Sequence, residues 1–440
     1  MSTQAIAIAR LEEHFLRQGV TLKPTSKRAG AESWFPYYAG YSATFVRETL
    51  AALGASPGWR VLDPWNGSGT TTTVADASGC DAIGFDLNPV AALVAAARLV
   101  RAQDALHSSG LASEMLIVAD RNKNEPSAGD PLRKWLSARL VRRYRRIEAA
   151  ILALLGSRSG TPIDPATTAS PPFAAFFLLC LMRAAKRFTH LRATSNPTWM
   201  TPERRGDAPA IEIDKAFLDM VDACARDTEQ TTSESLPLRA TSSRVGLADA
   251  RSLPLSDATV DAVITSPPYC TRIDYFRATH LELSALKIDP RGGAYRALRS
   301  AAMGTNLLRT TAEVESESLP EAVQDFLSRV RAHPSKASNT YYYRSLSQYF
   351  DDAMRSLREV HRVLKPGSCA VFVVQSSYYK EIPISLGELY SAMADQAQLE
   401  ARIVHRVPVK RVLTTINSRA SRHCRNRHYT EDVVAMLKRS

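Results

Sequence analysis

Arg60-Val61-Leu62-Asp63-Pro64-Trp65-Asn66-Gly67-Ser68-Gly69-Thr70-Thr71, followed by Ala82-Ile83-Gly84-Phe85-Asp86-Leu87-Asn88-Pro89, is the stretch whose reading decides the fold. A short apolar strand (Trp59 to Leu62) runs into a glycine turn, and a helix follows over Thr70 to Ser78. A second strand (Ala82 to Phe85) ends on Asp86, and an alanine-rich helix starts at Pro89. Strand, glycine turn, helix, strand and acidic residue make the βαβ signature of a doubly wound sheet. Glycines at 67 and 69 let the backbone turn sharply and approach a ligand closely. The free N–H groups of the helix that follows suit an anion such as a carboxylate. A phosphate loop would end in Gly-Lys-Ser/Thr, and no lysine stands here; a dinucleotide fingerprint would need a third glycine, and position 72 is Thr. Asp86 sits near the ~20-residue spacing expected of an acid that accepts the ribose hydroxyls of an adenosine. Asn88 follows it in the same turn.

The most specific motif lies much later, at Asp261-Ala262-Val263-Ile264-Thr265-Ser266-Pro267-Pro268-Tyr269. An apolar strand runs into two prolines, which stiffen the backbone and remove two N–H donors, so nearby carbonyls face outward. The exocyclic amine of cytosine or adenine is a poor nucleophile, because its lone pair is delocalised into the ring. A carbonyl at Pro267 and a hydroxyl at Ser266 accepting its two hydrogens would favour a pyramidal nitrogen and free that lone pair. Tyr269 would stack on a base flipped out of the duplex, worth about 1–3 kcal/mol. Cys270 is a bystander in this chemistry. Of the following aromatics, Phe276 reads as core, whereas Tyr275 reads equally as core or as a pocket wall.

These two motifs resemble the cofactor and catalytic motifs of the DNA amino-methyltransferases, which make N4-methylcytosine or N6-methyladenine. Trp34-Phe35-Pro36-Tyr37-Tyr38 to Phe45-Val46 is similar to the cofactor-binding segment that precedes the glycine motif in many members. Asp249, beside Ala250, matches the acid those enzymes aim at the adenine amine of the cofactor. Val363-Leu364-Lys365-Pro366-Gly367 resembles the turn before a later sheet strand, and the middle of the chain matches only loosely, at Thr194 to Trp199. The resemblance implies S-adenosylmethionine as cofactor, S-adenosylhomocysteine as product, and a cofactor site of Tyr37, Tyr38, Asp63, Pro64, Gly67, Ser68, Gly69, Thr70, Thr71, Asp86, Asn88, Asp249 and Ala250. It implies catalysis by Ser266, Pro267, Pro268 and Tyr269, with direct in-line transfer and neither a metal nor a covalent enzyme intermediate. Cofactor motif first and catalytic motif second resembles the alpha-type order, with the target-recognition region between them. The stretch in that place resembles no recognition domain with an assignable site. Serine before Pro-Pro-Tyr is commoner in the cytosine-N4 enzymes, which makes N4-cytosine methylation of DNA the expected reaction. N6-adenine methylation of DNA, an RNA amino-methyltransferase and an inactive DNA-binding homologue stand as alternatives.

The rest of the chain fits a polyanionic partner. The 440 residues carry 56 Lys and Arg against 44 Asp and Glu, a net charge of +12. A basic run over Arg133 to Arg146 puts Arg139, Arg142, Arg143 and Arg146 near one helical face, which reads either as a phosphate-contacting surface or as a solvated one. A second basic stretch holds Arg406, Lys410, Arg411, Arg419, Arg422, Arg425 and Arg427, for which DNA contact is the favoured reading. Double-stranded DNA is therefore the expected partner, with a restriction enzyme or another defence-system protein as the companion such an enzyme would have. The six cysteines contain no CxxC pair, and His423, Cys424 and His428 lack the further ligands of a metal site. No secretory pattern opens the sequence and no apolar run reaches the ~20 residues of a membrane span, so a cytoplasmic, membrane-free protein is expected. The expected architecture is α/β: a doubly wound Rossmann-like methyltransferase sheet from 1–100 and 241–440, interrupted by a large helical insertion (101–240) and a smaller one (287–344). The apolar run Phe173 to Met182 reads as a buried helix, and Tyr341-Tyr342-Tyr343 reads equally as a base-contacting or a buried triple.

Overall fold

The computed structural model describes residues 3–18, 22, 30–35, 40–156, 170–192, 199–233, 241–270, 274–309, 319–409 and 427–439. Seven strands form the main sheet: β1 (Arg60–Asp63), β2 (Asp81–Asp86), β3 (Arg244–Leu247), β4 (Val260–Thr265), β5 (Leu364–Gln375), β6 (Leu399–Pro408) and β7 (Thr430–Lys438). Their order is β6-β7-β5-β4-β1-β2-β3, parallel from β5 to β3, with β7 antiparallel between β5 and β6. The expected doubly wound α/β sheet is present. Its order reverses between β1 and β4, and in such sheets the crevice at that reversal, beyond the C-terminal strand ends, is where ligands bind.

The strand sequences explain why the sheet is central. Neighbouring residues alternate between two cores: Leu62, Val263, Phe372, Val434 and Met436 face one side, and Val61, Ile264, Val371, Val433 and Ala435 the other. A strand buried on both faces has no polar side, hence the continuous apolar runs. Helices α1 (Thr3–Gln18), α2 (Ala43–Leu53) and α3 (Thr70–Ala77) belong to the second core. The Pro89 helix is α4 (Pro89–Ala97), capped by the Asn88 side chain.

The insertion after α4 contains α5 (Ser108–Arg121), α6 (Ala138–Gly156), α7 (Pro172–Lys186) and α8 (Ala210–Ser233). The buried helix read at Phe173 to Met182 is α7. These helices do not form a core of their own. Phe176, Phe177 and Tyr144 pack in one cluster with Val90 and Leu93 of α4 and with Leu281 and Tyr295. The sequence missed a small antiparallel ribbon here, His190–Leu191 against Pro202–Arg204. Beyond the catalytic strand come α9 (His280–Ala285), α10 (Gly293–Ala301) and α11 (Glu321–Ala332), and then α12 (Tyr343–Val363) and α13 (Leu386–Gln396). Strand β5 starts at Leu364, before the expected Lys365-Pro366-Gly367 turn. Tyr341 and Tyr342 form part of a π-helical turn, with Tyr342 packed on Tyr379.

Candidate active site

The crevice at the sheet reversal opens into a cleft. Its walls bring together the two motifs that the sequence holds roughly 200 residues apart: Asp63, Pro64, Gly67, Ser68, Thr70, Asp86, Asn88, Asp249 and Ala250 with Ser266, Pro267, Pro268 and Tyr269.

Asp86 ends β2 and is pinned by two backbone donors, Gly67 N at 2.9 Å and Asn88 N at 2.7 Å. Gly67 has a positive φ of 52°, which turns its N–H toward that carboxylate. Burial pushes the Asp86 carboxyl up to about 6, against the pull of those two hydrogen bonds. Asp249 is held by Arg251, whose Nε and Nη2 reach its oxygens at 2.9 and 2.5 Å. Arg251 in turn pairs with the buried Asp352 of α12 at 2.6 Å, and Arg309 closes on the same carboxylate. Asp249 is thereby oriented, its two oxygens accepting from the Arg251 backbone N and guanidinium.

Three residues assigned to cofactor contact have other work. Gly69 does not line the cleft; with φ +86° it lets α3 approach α4, and a Cβ there would stand 2.7 Å from Ala95 Cβ. Thr71 is fully buried and bonds the Ile264 carbonyl and the Tyr41 hydroxyl. Asp63 lines the cleft floor, but its oxygens are taken by Thr265 Oγ1 (2.5 Å), Trp65 N (3.1 Å) and Tyr41 Oη (2.9 Å). It therefore braces the end of β1 against the residue just before Ser266. Tyr41 lies within the segment from Trp34 to Val46, but sequence reasoning gave it no role. Tyr37 and Tyr38 lie outside the described residues. Their neighbours Trp34 and Phe35 are buried in the core shared with the helical insertion.

The backbone of the catalytic motif is clamped. Tyr349 of α12 donates to the Pro268 carbonyl at 2.9 Å, and Tyr269 N donates to Tyr275 Oη at 3.1 Å. Among the described residues no donor reaches the Pro267 carbonyl. Tyr275 and Phe276 both line the cleft, and Phe276 also packs edge-on against Tyr295. Trp65, a motif residue with no role assigned from sequence, adds its ring beside Phe372. Cys270 is buried and its thiol pushed up to about 12 by burial, which fits a bystander.

The basic surfaces differ from expectation. Arg143 is 8% exposed and forked onto Asp214 at 2.6 and 2.9 Å, with Asp120 on its other nitrogen. Its placement on a phosphate-contacting face is thus corrected: it ties α6 to α8 and α5. Arg139 pairs with Asp207, and Arg142 and Arg146 share Glu125, so this face carries matched charge. Arg145, in the same run, is buried against Asp130 and Glu148. Arg427 donates to the Lys380 carbonyl and lies over the Tyr378 ring; Arg419, Arg422 and Arg425 lie outside the described residues, as do His423 and Cys424. Among the described residues no group of His, Cys, Asp and Glu is placed to hold a metal, and no helix is long and apolar enough to cross a membrane.

The polar groups of the cleft fit S-adenosylmethionine: Asp86 could accept from the ribose hydroxyls and Asp249 from the adenine amine, and the Gly67–Ser68 turn at the α3 N-terminus could donate to the carboxylate. No protein-family model matches the chain. It is 23% identical over 416 residues to the Type II methyltransferase M.AvaI of Anabaena variabilis, covering 88% of this chain and 82% of that protein. To the Type II methyltransferase M.BsoBI of Geobacillus stearothermophilus it is 24% identical over 421 residues, covering 85% and 79%. Among solved structures, the rRNA methyltransferase aviRa of Streptomyces viridochromogenes aligns at 12% identity and TM-score 0.31, covering 94% of this chain and 96% of that one. A geranyl diphosphate methyltransferase solved with sinefungin aligns at 9% and 0.30, covering 99% and 98%. Along most of its length, then, this chain is similar to Type II methyltransferases.

Proposed function

We propose that this protein is a site-specific DNA methyltransferase that methylates the exocyclic N4 amine of cytosine. Its cofactor is S-adenosylmethionine, which supplies a methyl group made electrophilic by the sulfonium. The observation that carries the reading is the convergence of Ser266 to Tyr269 with Asp86 and Asp249 on one cleft. The names of the relatives support it, since Type II is the vocabulary of restriction–modification; a cognate restriction enzyme is the partner such a role would carry.

In this reading Tyr269 stacks on the extruded base and Phe276 closes the apolar wall. The Ser266 hydroxyl and the Pro267 carbonyl accept the two amine hydrogens and turn the nitrogen lone pair toward the methyl. As the N–C bond forms, the S–C bond breaks and its electron pair stays on sulfur; the amine then loses one proton through the Ser266 hydroxyl to water. Rate comes from positioning and from hydrogen bonds to the reacting amine.

The test is mass spectrometry of nucleosides from plasmid DNA exposed to the enzyme and labelled methyl donor, with RNA in parallel. N4-methylcytosine is expected, lost in Ser266→Ala with cofactor binding retained. N6-methyladenine, label in RNA alone, or no transfer to any nucleic acid would each replace the proposal.

A further inference from the structure

The arginines of α6 are matched by acids, whereas those of the small ribbon are not. Arg192, Arg204 and Arg205 are exposed, and among the described residues none of the three has an ion-pair partner. An exposed cation left unmatched beside a helix whose arginines are paired is available to an external anion. The ribbon is fixed at its base, where Gly206 exchanges backbone hydrogen bonds with Trp135 (2.9 Å) and Ser137 (2.8 Å) at the start of α6. Its other end meets the segment after the catalytic motif. Trp199 is 37% exposed, and the Arg277 guanidinium lies 4.0 Å from its ring centroid. Met200 N also donates to the Arg277 carbonyl at 3.5 Å. Arg277 directly follows Phe276, which lines the cleft, so the Trp199–Arg277 stack is carried on the segment that forms the cleft wall.

We propose that this ribbon, with Trp199 and Arg277, is the surface on which the nucleic acid flanking the target base lies. This rests on the DNA reading above and adds where the duplex sits. Arg192, Arg204 and Arg205 contact phosphates, the sequence-independent part of such interfaces. The guanidinium of Arg277 covers one face of the indole; the exposed remainder of Trp199 stacks on the base next to the extruded one. That contact compensates the stacking lost when a base leaves the helix. The charge pattern favours a duplex over an acidic protein, because a planar cation–aromatic pair beside a base-sized cleft matches a base as well as a phosphate.

The experiment measures binding of a fluorescent mixed-sequence 30-base-pair duplex across a salt series. It uses the full chain, and calorimetric S-adenosylmethionine binding reports that each variant is folded. Replacing Arg192, Arg204 and Arg205 by glutamine should lower affinity at least ~10-fold near 0.1 M salt and reduce the log–log salt slope by about 2 to 3, close to one per lost phosphate contact. Trp199→Ala should slow methylation of a duplex at least ~10-fold more than methylation of the same sequence as a single strand, which needs no extrusion. An unchanged slope in the triple variant, on DNA that the wild type binds, overturns the ribbon proposal and leaves the methyltransferase reading standing. So does a loss of slope found instead on replacing Arg139, Arg142 and Arg146. Wild-type protein that neither binds nor methylates DNA overturns both.

Discussion

The carboxylate of Asp86 offers both oxygens to backbone N–H groups, and its proton affinity is raised by burial to about 6. The sign of the consequence follows. A carboxyl whose folded-state pKa exceeds its unfolded value of 3.8 contributes stability that is present below that value and lost as pH rises through about 6. Ribose hydroxyls donating to the carboxylate favour the ionised form, so cofactor binding releases a proton. Affinity should therefore rise about 5-fold from pH 5 to 6 and no more than about 2-fold above it. Asp86→Asn should bind weakly and without that slope; a calorimetric pH profile with wild-type slope in Asp86→Asn would detach the effect from this residue. Tyr349 makes a different kind of contribution. It touches no reacting group but fixes the Pro268 carbonyl from behind. Tyr349→Phe keeps the ring in its 2% exposed pocket and deletes the bond, leaving the carbonyl short of a donor at about 1–3 kcal/mol. We expect kcat to fall about 10-fold with cofactor affinity unchanged, a split that steady-state kinetics and calorimetry separate. Equal loss of both would mean that the tyrosine supports the fold rather than the loop.

Among the elements, those of the sheet were legible in the sequence because each strand is short, apolar and bounded by turn residues. Arg60–Asp63 and Val260–Thr265 fall within one or two residues of the expected spans. The start of α12 at Tyr343 was not legible, because the π-turn before it carries no periodicity to read. What sequence could not supply was pairing. The run Arg139-Leu140-Val141-Arg142-Arg143-Tyr144-Arg145-Arg146 has the composition of a phosphate-binding helix, but its charge partners lie on other elements. Asp214 is 71 positions from Arg143, and nothing local announces it. Tyr41, which fixes Asp63, was hidden for the same reason. The clearest consequence concerns Arg145, 8% exposed, which holds Asp130 and Glu148 and donates to the Ser284 and Ala285 carbonyls of α9. Arg145→Met leaves buried Asp130 without its cation and Glu148 with Lys287 alone, a defect that costs about 3–5 kcal/mol. The urea midpoint should drop accordingly with an unchanged m-value. A stability within about 0.5 kcal/mol of wild type would mean that this network is far better hydrated than its burial implies.

At the scale of the whole molecule, the helices between β2 and β3 share a core with the winding of the sheet. The sheet needs only a short connection after β2, yet the chain makes a long helical excursion before β3. Independent domains have separate cores, joined by linkers that few contacts cross. Here α4, which belongs to the sheet's winding, lies inside the same apolar cluster as α5 to α8, and the segment after the catalytic motif enters it through Phe276 and Leu281. Trp135 of the insertion donates to Ser284 of α9 at 3.0 Å, so a polar contact also ties the insertion to the segment after the catalytic motif. Removing the insertion would expose the apolar face of α4, whose every residue is buried. A single cooperative unfolding transition follows, in which tryptophan fluorescence and far-ultraviolet circular dichroism give one midpoint in urea. S-adenosylmethionine at about 100 times its Kd should shift both signals together by roughly 2.7 kcal/mol, although the assigned site lies in the sheet crevice. Two transitions, with only one moved by the cofactor, would show that the helices fold apart from the sheet and that the shared cluster is a contact between bodies rather than one core.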